Sequence, residues 1–134
     1  MFSIILGGMA SKPMTWQAFF VLTALADGPR HGYGIVREVA TLSKGQVHLK
    51  IGSLYGLLDR LSTDRLIEPD RDEPHDGRLR RYYRLTRDGW GALEQETELR
   101  AATAHVARAK LSLPRPELSL PRPDLGFPRP ETAG

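Results

Sequence analysis

"IGSLYGLLDRLSTDRLIEPDRDEPHDGRLRRYYRLT", residues 51–86, changes its hydrophobic period halfway along. Its first half, "IGSLYGLLDRLSTDRL" (51–66), reads as a helix in which Ile51, Leu54, Leu58 and Leu61 recur at steps of three and four and gather on one face. The opposite face carries Ser53, Gly56 and Arg60: small, very small and cationic. "LIEPD" (66–70) then reads as a short strand that Pro69, lacking an N–H, confines to a sheet edge. "LRRYYRL" (79–85) reads as a second strand, with Arg81, Tyr83 and Leu85 on one face and Arg80, Tyr82 and Arg84 on the other. Tyr83 and Leu85 are expected to point inward. A long turn from Arg71 to Arg78, containing Pro74 and Gly77, is expected between the strands.

Charge along this stretch reverses sharply. Glu68, Asp70, Asp72, Glu73 and Asp76 are acidic, and Arg78, Arg80, Arg81, Arg84 and Arg87 follow with no acid among them. The whole chain of 134 residues has a formal charge of +3, so the uneven distribution says more than the sum. Arginines on a strand neutralise phosphates, giving affinity and register with little sequence information. A helix whose outer face is small and basic fits the major groove of DNA.

On the N-terminal side, "MTWQAFFVLTALA" (14–26) is apolar almost all round and reads as a buried helix ended by Asp27-Gly28-Pro29. "HGYGIVREVATLS" (31–43) places Ile35, Val36, Val39 and Leu42 at helical spacing and is stopped by Lys44-Gly45. "QVHL" (46–49) is long enough only for a short strand. On the C-terminal side Thr86 reads as the N-cap of a last helix running to about Lys110, roughly 36 Å long. Trp90, Leu93, Thr97, Ala101 and Ala104 form its expected apolar stripe, and a helix of that length wants a partner. From Leu111 the sequence repeats a seven-residue unit, "LSLPRPE", "LSLPRPD", "LGFPRPE", whose prolines exclude a helix and favour an extended, polyproline-like tail.

The resulting order, helix, helix, short strand, helix, strand, basic strand, long helix, is that of a winged helix-turn-helix. The fold class is therefore mainly α with a small two- to three-stranded antiparallel wing and a long C-terminal dimerisation helix. The expected divisions are a flexible extension (1–13), a winged-helix domain (14–85), a dimerisation helix (86–110) and a disordered proline-rich tail (111–134).

Several chemistries find no support. There is no cysteine, which suits a reducing cytoplasm and excludes disulfides and thiolate metal sites. His31, His48, His75 and His105 show no ligand-pair spacing, so no metal is expected. "GSLYG" does not centre its serine as a Gly-x-Ser-x-Gly elbow does, and no phosphate-cradling glycine loop follows a strand. No catalytic residue and no cofactor is expected. The apolar start "MFSIILGGMA" lacks a basic leader and is too short to span a bilayer, so no membrane association is expected.

"HGYGIVREV", "GSLYGLLDRL" and "GRLRRYYRLT", with the glycine three residues after that threonine, together resemble the PadR family of bacterial transcriptional regulators. The resemblance covers about residues 14–110. It implies a homodimer joined through its first and last helices, binding a palindromic operator in double-stranded DNA, usually as a repressor, and released by a small, often aromatic, effector. By the same resemblance Ser53 and Tyr55 contact DNA from the recognition helix, Tyr33 touches a phosphate from the start of the second helix, and Arg78, Arg80 and Arg81 form the basic wing. Lys50, Gly56 and Arg60 complete the expected DNA-binding set. Gly34 stands where the family commonly has an acidic residue, which implies a looser start to that helix.

Each assignment has a plainer counterpart. Tyr55 lies only about 40° from the buried stripe and could pack in the core. Arg60 could be simply solvated. Trp16, Phe20, Trp90 and Leu93 read either as core and dimer residues or as an effector pocket. Two other function classes use the same fold: a protein-interaction module whose proline-rich tail docks a partner without operator binding, and a ligand-binding protein with no operator. The outward basic residues favour DNA.

Overall fold

The computed structural model describes residues 13–115. Residues 1–12 of the expected N-terminal extension and residues 116–134 of the proline-rich tail lie outside that range. The described residues divide into two units, 13–101 and 102–115.

The first unit holds α1 (Trp16–Leu25), β1 (Arg30–His31), α2 (Gly32–Leu42), α3 (Ile51–Thr63), β2 (Ile67–His75), β3 (Arg78–Leu85) and the start of α4 (Arg87–Leu111). This is the winged helix expected from the sequence. Thr15 caps α1, its side chain accepting the Ala18 N–H at 3.1 Å. Val21, Leu22, Ile35, Val39, Leu54, Leu58 and Ile67 are almost wholly buried and bring α1, α2, α3 and the base of β2 into one core. Each such side chain contributes about 1.5–3 kcal/mol through removal from water. Leu57 and Leu61 join them, so α3 buries four leucines and keeps Ile51 half-buried.

The antiparallel sheet has the order β1-β3-β2, with Ile67 opposite Leu85, His75 opposite Arg78, and His31 opposite Tyr82. β2 is an edge strand, as Pro69 requires. The register slips between Pro69 and Arg71, leaving Asp70 as an extra residue in a bulge.

Four expectations need correction. The long turn 71–78 does not exist: β2 continues to His75, and Asp76-Gly77 alone reverses the chain, with φ of 52° and 77°. Left-handed conformation at both central residues is the type I′ hairpin, whose twist matches the strands, and Asp-Gly is its favoured dipeptide. "QVHL" is not a strand. The third strand is Arg30–His31, where the second helix was expected to begin, because β3 has a free edge there for two residues to pair with. α3 stops at Thr63, three residues early, and Arg65 turns the chain with φ 62°. On α4 the core-facing side holds Gly89 and Leu93, with Ala92, Glu96 and Arg100 half-buried, and Trp90, Thr97, Ala101 and Ala104 of the expected stripe are exposed.

Thr86 and Gly89 lock the sheet to α4. The Thr86 N–H donates to the Leu66 carbonyl at 3.1 Å, its hydroxyl donates to the Arg65 carbonyl at 2.6 Å, and the same oxygen caps the helix by accepting the Gly89 N–H at 2.9 Å. Gly89 is then forced to be glycine, because a Cβ there would overlap the Leu66 carbonyl oxygen. In the second unit the described residues 102–115 are exposed throughout, and the helix ends at Leu111.

Candidate nucleic-acid interface

The outward face of α3 is nearly bare. Gly52, Ser53, Tyr55, Gly56, Asp59 and Arg60 are exposed. A Cβ added at Gly52 or Gly56 would meet no atom within 4 Å, so open space and not crowding adjoins both glycines. Tyr55 answers its two readings halfway: it is 47% exposed, while its ring rests over Gly32, where a Cβ would come within 3.0 Å of the phenol oxygen. Tyr33 is exposed at the first turn of α2, and Lys50 precedes α3 as its N-cap residue without a side-chain cap bond.

Charge on the wing is sorted by which arginine engages each acid. Arg84 on β3 donates to Glu68 at 3.0 Å and to Asp70 at 2.9 Å across the hairpin. Arg71 engages Asp70 at 2.8 Å and Glu73 at 2.7 Å, and its guanidinium lies 4.1 Å from the centre of the Tyr82 ring. Hydrogen bonds from Arg84 and Arg71 hold the Asp70 carboxyl below its ordinary range, and Arg71 does the same for Glu73. Arg81 pairs more loosely with Asp72 at 3.3 Å. The acids that would repel DNA are thus largely neutralised within the hairpin. Among the described residues Arg78, Arg80, Lys50 and Arg60 form no ion pair.

Arg78, Arg80 and Arg81 are among the residues lining an open cleft of about 750 Å³, together with Gly32, Tyr33, Ile51 and Tyr55. His31, absent from the sequence-derived set, also lines it. Its Nδ1 caps α2 by accepting the Gly34 N–H at 3.2 Å, its ring stands edge-on to Tyr82 at 5.1 Å, and its Nε2 lies 3.3 Å from Arg80 Nη1. That capping bond gives α2 a defined start despite Gly34. Burial, and then the positive charges of Arg80, Arg37 and His75, hold the imidazole below its ordinary pKa, with Glu73 opposing.

The sequence profile of the transcriptional regulator PadR-like family matches residues 21–95, from α1 into α4. The chain belongs to that family. A PadR family transcription regulator from Clostridium difficile superposes with a TM-score of 0.62 at 23% identity, covering 73% of this chain and all of that one. Bacillus subtilis PadR, solved in complex with operator DNA, superposes with a TM-score of 0.56 at 18% identity over 84% of this chain and 54% of that one. An uncharacterised 37.1 kDa protein in a Streptomyces fradiae transposon is 43% identical over 76 residues, 57% of this chain but only 20% of that protein.

Membership of the family places the chain among the PadR-like transcriptional regulators. No helix among the described residues is long and apolar enough to cross a membrane. Of the four residues read as an effector pocket, Phe20 packs against the core cluster that contains Leu93. Leu93 belongs to the core, Trp16 stacks on Phe20 at 5.9 Å with the Arg100 guanidinium over it, and Trp90 is half exposed on α4. None of them lines the cleft. His31 escapes sequence reasoning because nothing in "RHGYG" shows that β3 will bring Arg80 against it from 49 residues away. Its place directly before a helix, with a ring nitrogen able to cap, was the available signal.

Proposed function

We propose that this chain is a sequence-specific, double-stranded DNA-binding regulator that acts as a homodimer on a palindromic operator, as a repressor released by a small effector. The observation that carries DNA binding is the pairing of a bare recognition face, Gly52, Ser53 and Gly56, with cleft-facing arginines that have no carboxylate partner, Arg78 and Arg80. Ser53 lies near base edges, with Gly56 allowing close approach. Lys50, Arg60, Arg78, Arg80 and Arg81 neutralise phosphates, and the Tyr33 and Tyr55 hydroxyls donate to them. That Bacillus subtilis PadR, of the same fold, was solved in complex with operator DNA supports DNA binding here. Dimer formation is supported by α4, which buries only Gly89 and Leu93 while leaving Trp90, Leu99 and Val106 exposed, and by exposed Trp16 on α1. Repression and effector release follow the family resemblance.

The division of labour proposed is a 14–85 DNA-binding domain, an 86–110 dimerisation helix and a tail dispensable for both. A mobility shift on DNA upstream of the chain's own coding region, across salt concentrations, tests the reading. Binding that weakens steeply with salt and exceeds that to random duplex supports it. No salt-dependent binding to any duplex rejects it and favours the protein-interaction alternative.

A further inference from the structure

His31 makes two contacts that one neutral imidazole cannot satisfy together. Nδ1 faces the Gly34 N–H at 3.2 Å and Nε2 faces the Arg80 guanidinium at 3.3 Å, so both partners are donors. A neutral ring has one lone-pair nitrogen and one N–H. The Gly34 N–H is fixed, buried in the first turn of α2, and has no other acceptor there, whereas Arg80 is half-buried and reaches solvent. Leaving a buried backbone donor unsatisfied costs about 1–3 kcal/mol, so Nδ1 keeps the lone pair and Nε2 carries the proton. Nε2–H and the Arg80 N–H groups then meet donor to donor, in a side chain only 9% exposed, at the wall of the cleft.

We propose that the His31 Nε2–H and the Arg80 guanidinium jointly grip one backbone phosphate of bound duplex DNA. An oxyanion is the group this pair lacks: it accepts from both nitrogens, either at one oxygen or at its two non-bridging oxygens. It also removes the mismatch between the two donors. The start of α2 behind His31 adds the positive end of a helix dipole. The clamp rests on the DNA-binding reading above and adds to it a residue and a defined phosphate position.

His31→Asn separates the clamp from the fold. Asparagine keeps an oxygen to cap α2 but lacks a donor at the Nε2 position. It should weaken binding about five- to tenfold on operator and random duplex alike and leave the salt slope unchanged, since a neutral donor displaces no counterion. Arg80→Ala should weaken binding to both and lower the slope, and the double variant should lose less affinity than the two single effects combined. In wild type, DNA should raise the pKa of the His31 ring, followed by its side-chain nitrogen resonances. In the free protein that ring faces Arg80 and Tyr82 from β3, Arg37 from α2, and His75 and Glu73 from β2.

Wild-type binding to DNA with His31→Asn at full affinity, or a His31 resonance that DNA leaves unmoved, overturns the clamp and leaves the regulator reading standing. Absence of duplex binding by wild type removes both. Inorganic phosphate should perturb the His31 resonance only weakly. Saturation by phosphate at low millimolar concentration, with DNA affinity unchanged, would make this a free-anion site and overturn the proposal. If His31→Asn unfolds, the wild-type resonances decide.

Discussion

The two ends of β3 carry the same residue type and differ in what surrounds it. At the Leu85 end Arg84 is held by Glu68 and Asp70, Leu85 is buried, and Thr86 and Gly89 fasten the strand to α4. At the Arg78 end the strand leaves a tight turn, and Arg78 and Arg80 face the cleft with no carboxylate partner among the described residues. Arg81 lies between, loosely paired and still facing the cleft. The arginines of β3 are therefore not one basic patch: some are structural cross-braces and some are open to a ligand. Register places an acid opposite Arg80 as well, Glu73, but Arg71 holds it, so which arginines are open depends on which acids are already engaged.

The largest effect should come from attacking the anchored end. Gly89→Ala forces a methyl group into the Leu66 carbonyl, and we expect a loss of about 2–4 kcal/mol, read as a lowered midpoint in thermal or urea unfolding. A stability within experimental error of wild type would show that α4 does not seat as closely as described. Next comes the open end. Arg78→Ala and Arg80→Ala should each weaken binding to all duplexes several-fold with little change in unfolding midpoint. Ser53→Ala should cost on the order of 1 kcal/mol on the operator alone, leaving random DNA and the salt slope unaffected, because a hydroxyl at a base edge discriminates without neutralising charge.

The smallest effect is a pH dependence. The folded His31 pKa lies below its ordinary value of 6.5, so unfolding takes up protons as pH falls past that value. Its contribution to stability is full above about pH 6.5 and is lost as pH falls through the folded pKa. Wild type should therefore lose stability between pH 7 and 5 by more than His31→Asn does. Equal slopes in that window would mean that the ring is not held neutral. Asp70 and Glu73, whose carboxyls are also depressed, act only at lower pH, below their ordinary carboxylate range.

What the sequence made legible follows from how locally each feature is specified. Leu54, Leu58 and Leu61 announce α3 and its bare opposite face together, because a helix fixes both by spacing alone. The hairpin turn is legible too, in Asp76-Gly77, but the acidic run before it resembles a loop in composition and is edge strand in the fold. Arg30–His31 is not legible: two residues have no period, and only the free edge of β3 makes them a strand. Interface chemistry divides the same way. Ser53, Gly56 and the wing arginines are visible in the chain, but the engagement of Arg84 and the unsatisfied donor pair at His31 and Arg80 arise from residues 14 to 49 positions apart. Which side of α4 meets the core is not legible either: Gly89, with no side chain to count, seats the helix through its approach to Leu66.

The division of the wing is tested most directly by the salt dependence of duplex binding for Arg80→Ala against that for Arg84→Ala. Removing one arginine–phosphate pair should reduce the slope of log affinity against log salt by about 0.9, and by about twice that where a dimer uses the pair in both halves of a palindrome. Arg80→Ala should show that reduction, and Arg84→Ala should keep the wild-type slope. Equal reductions in both variants, or none in either, would contradict the account.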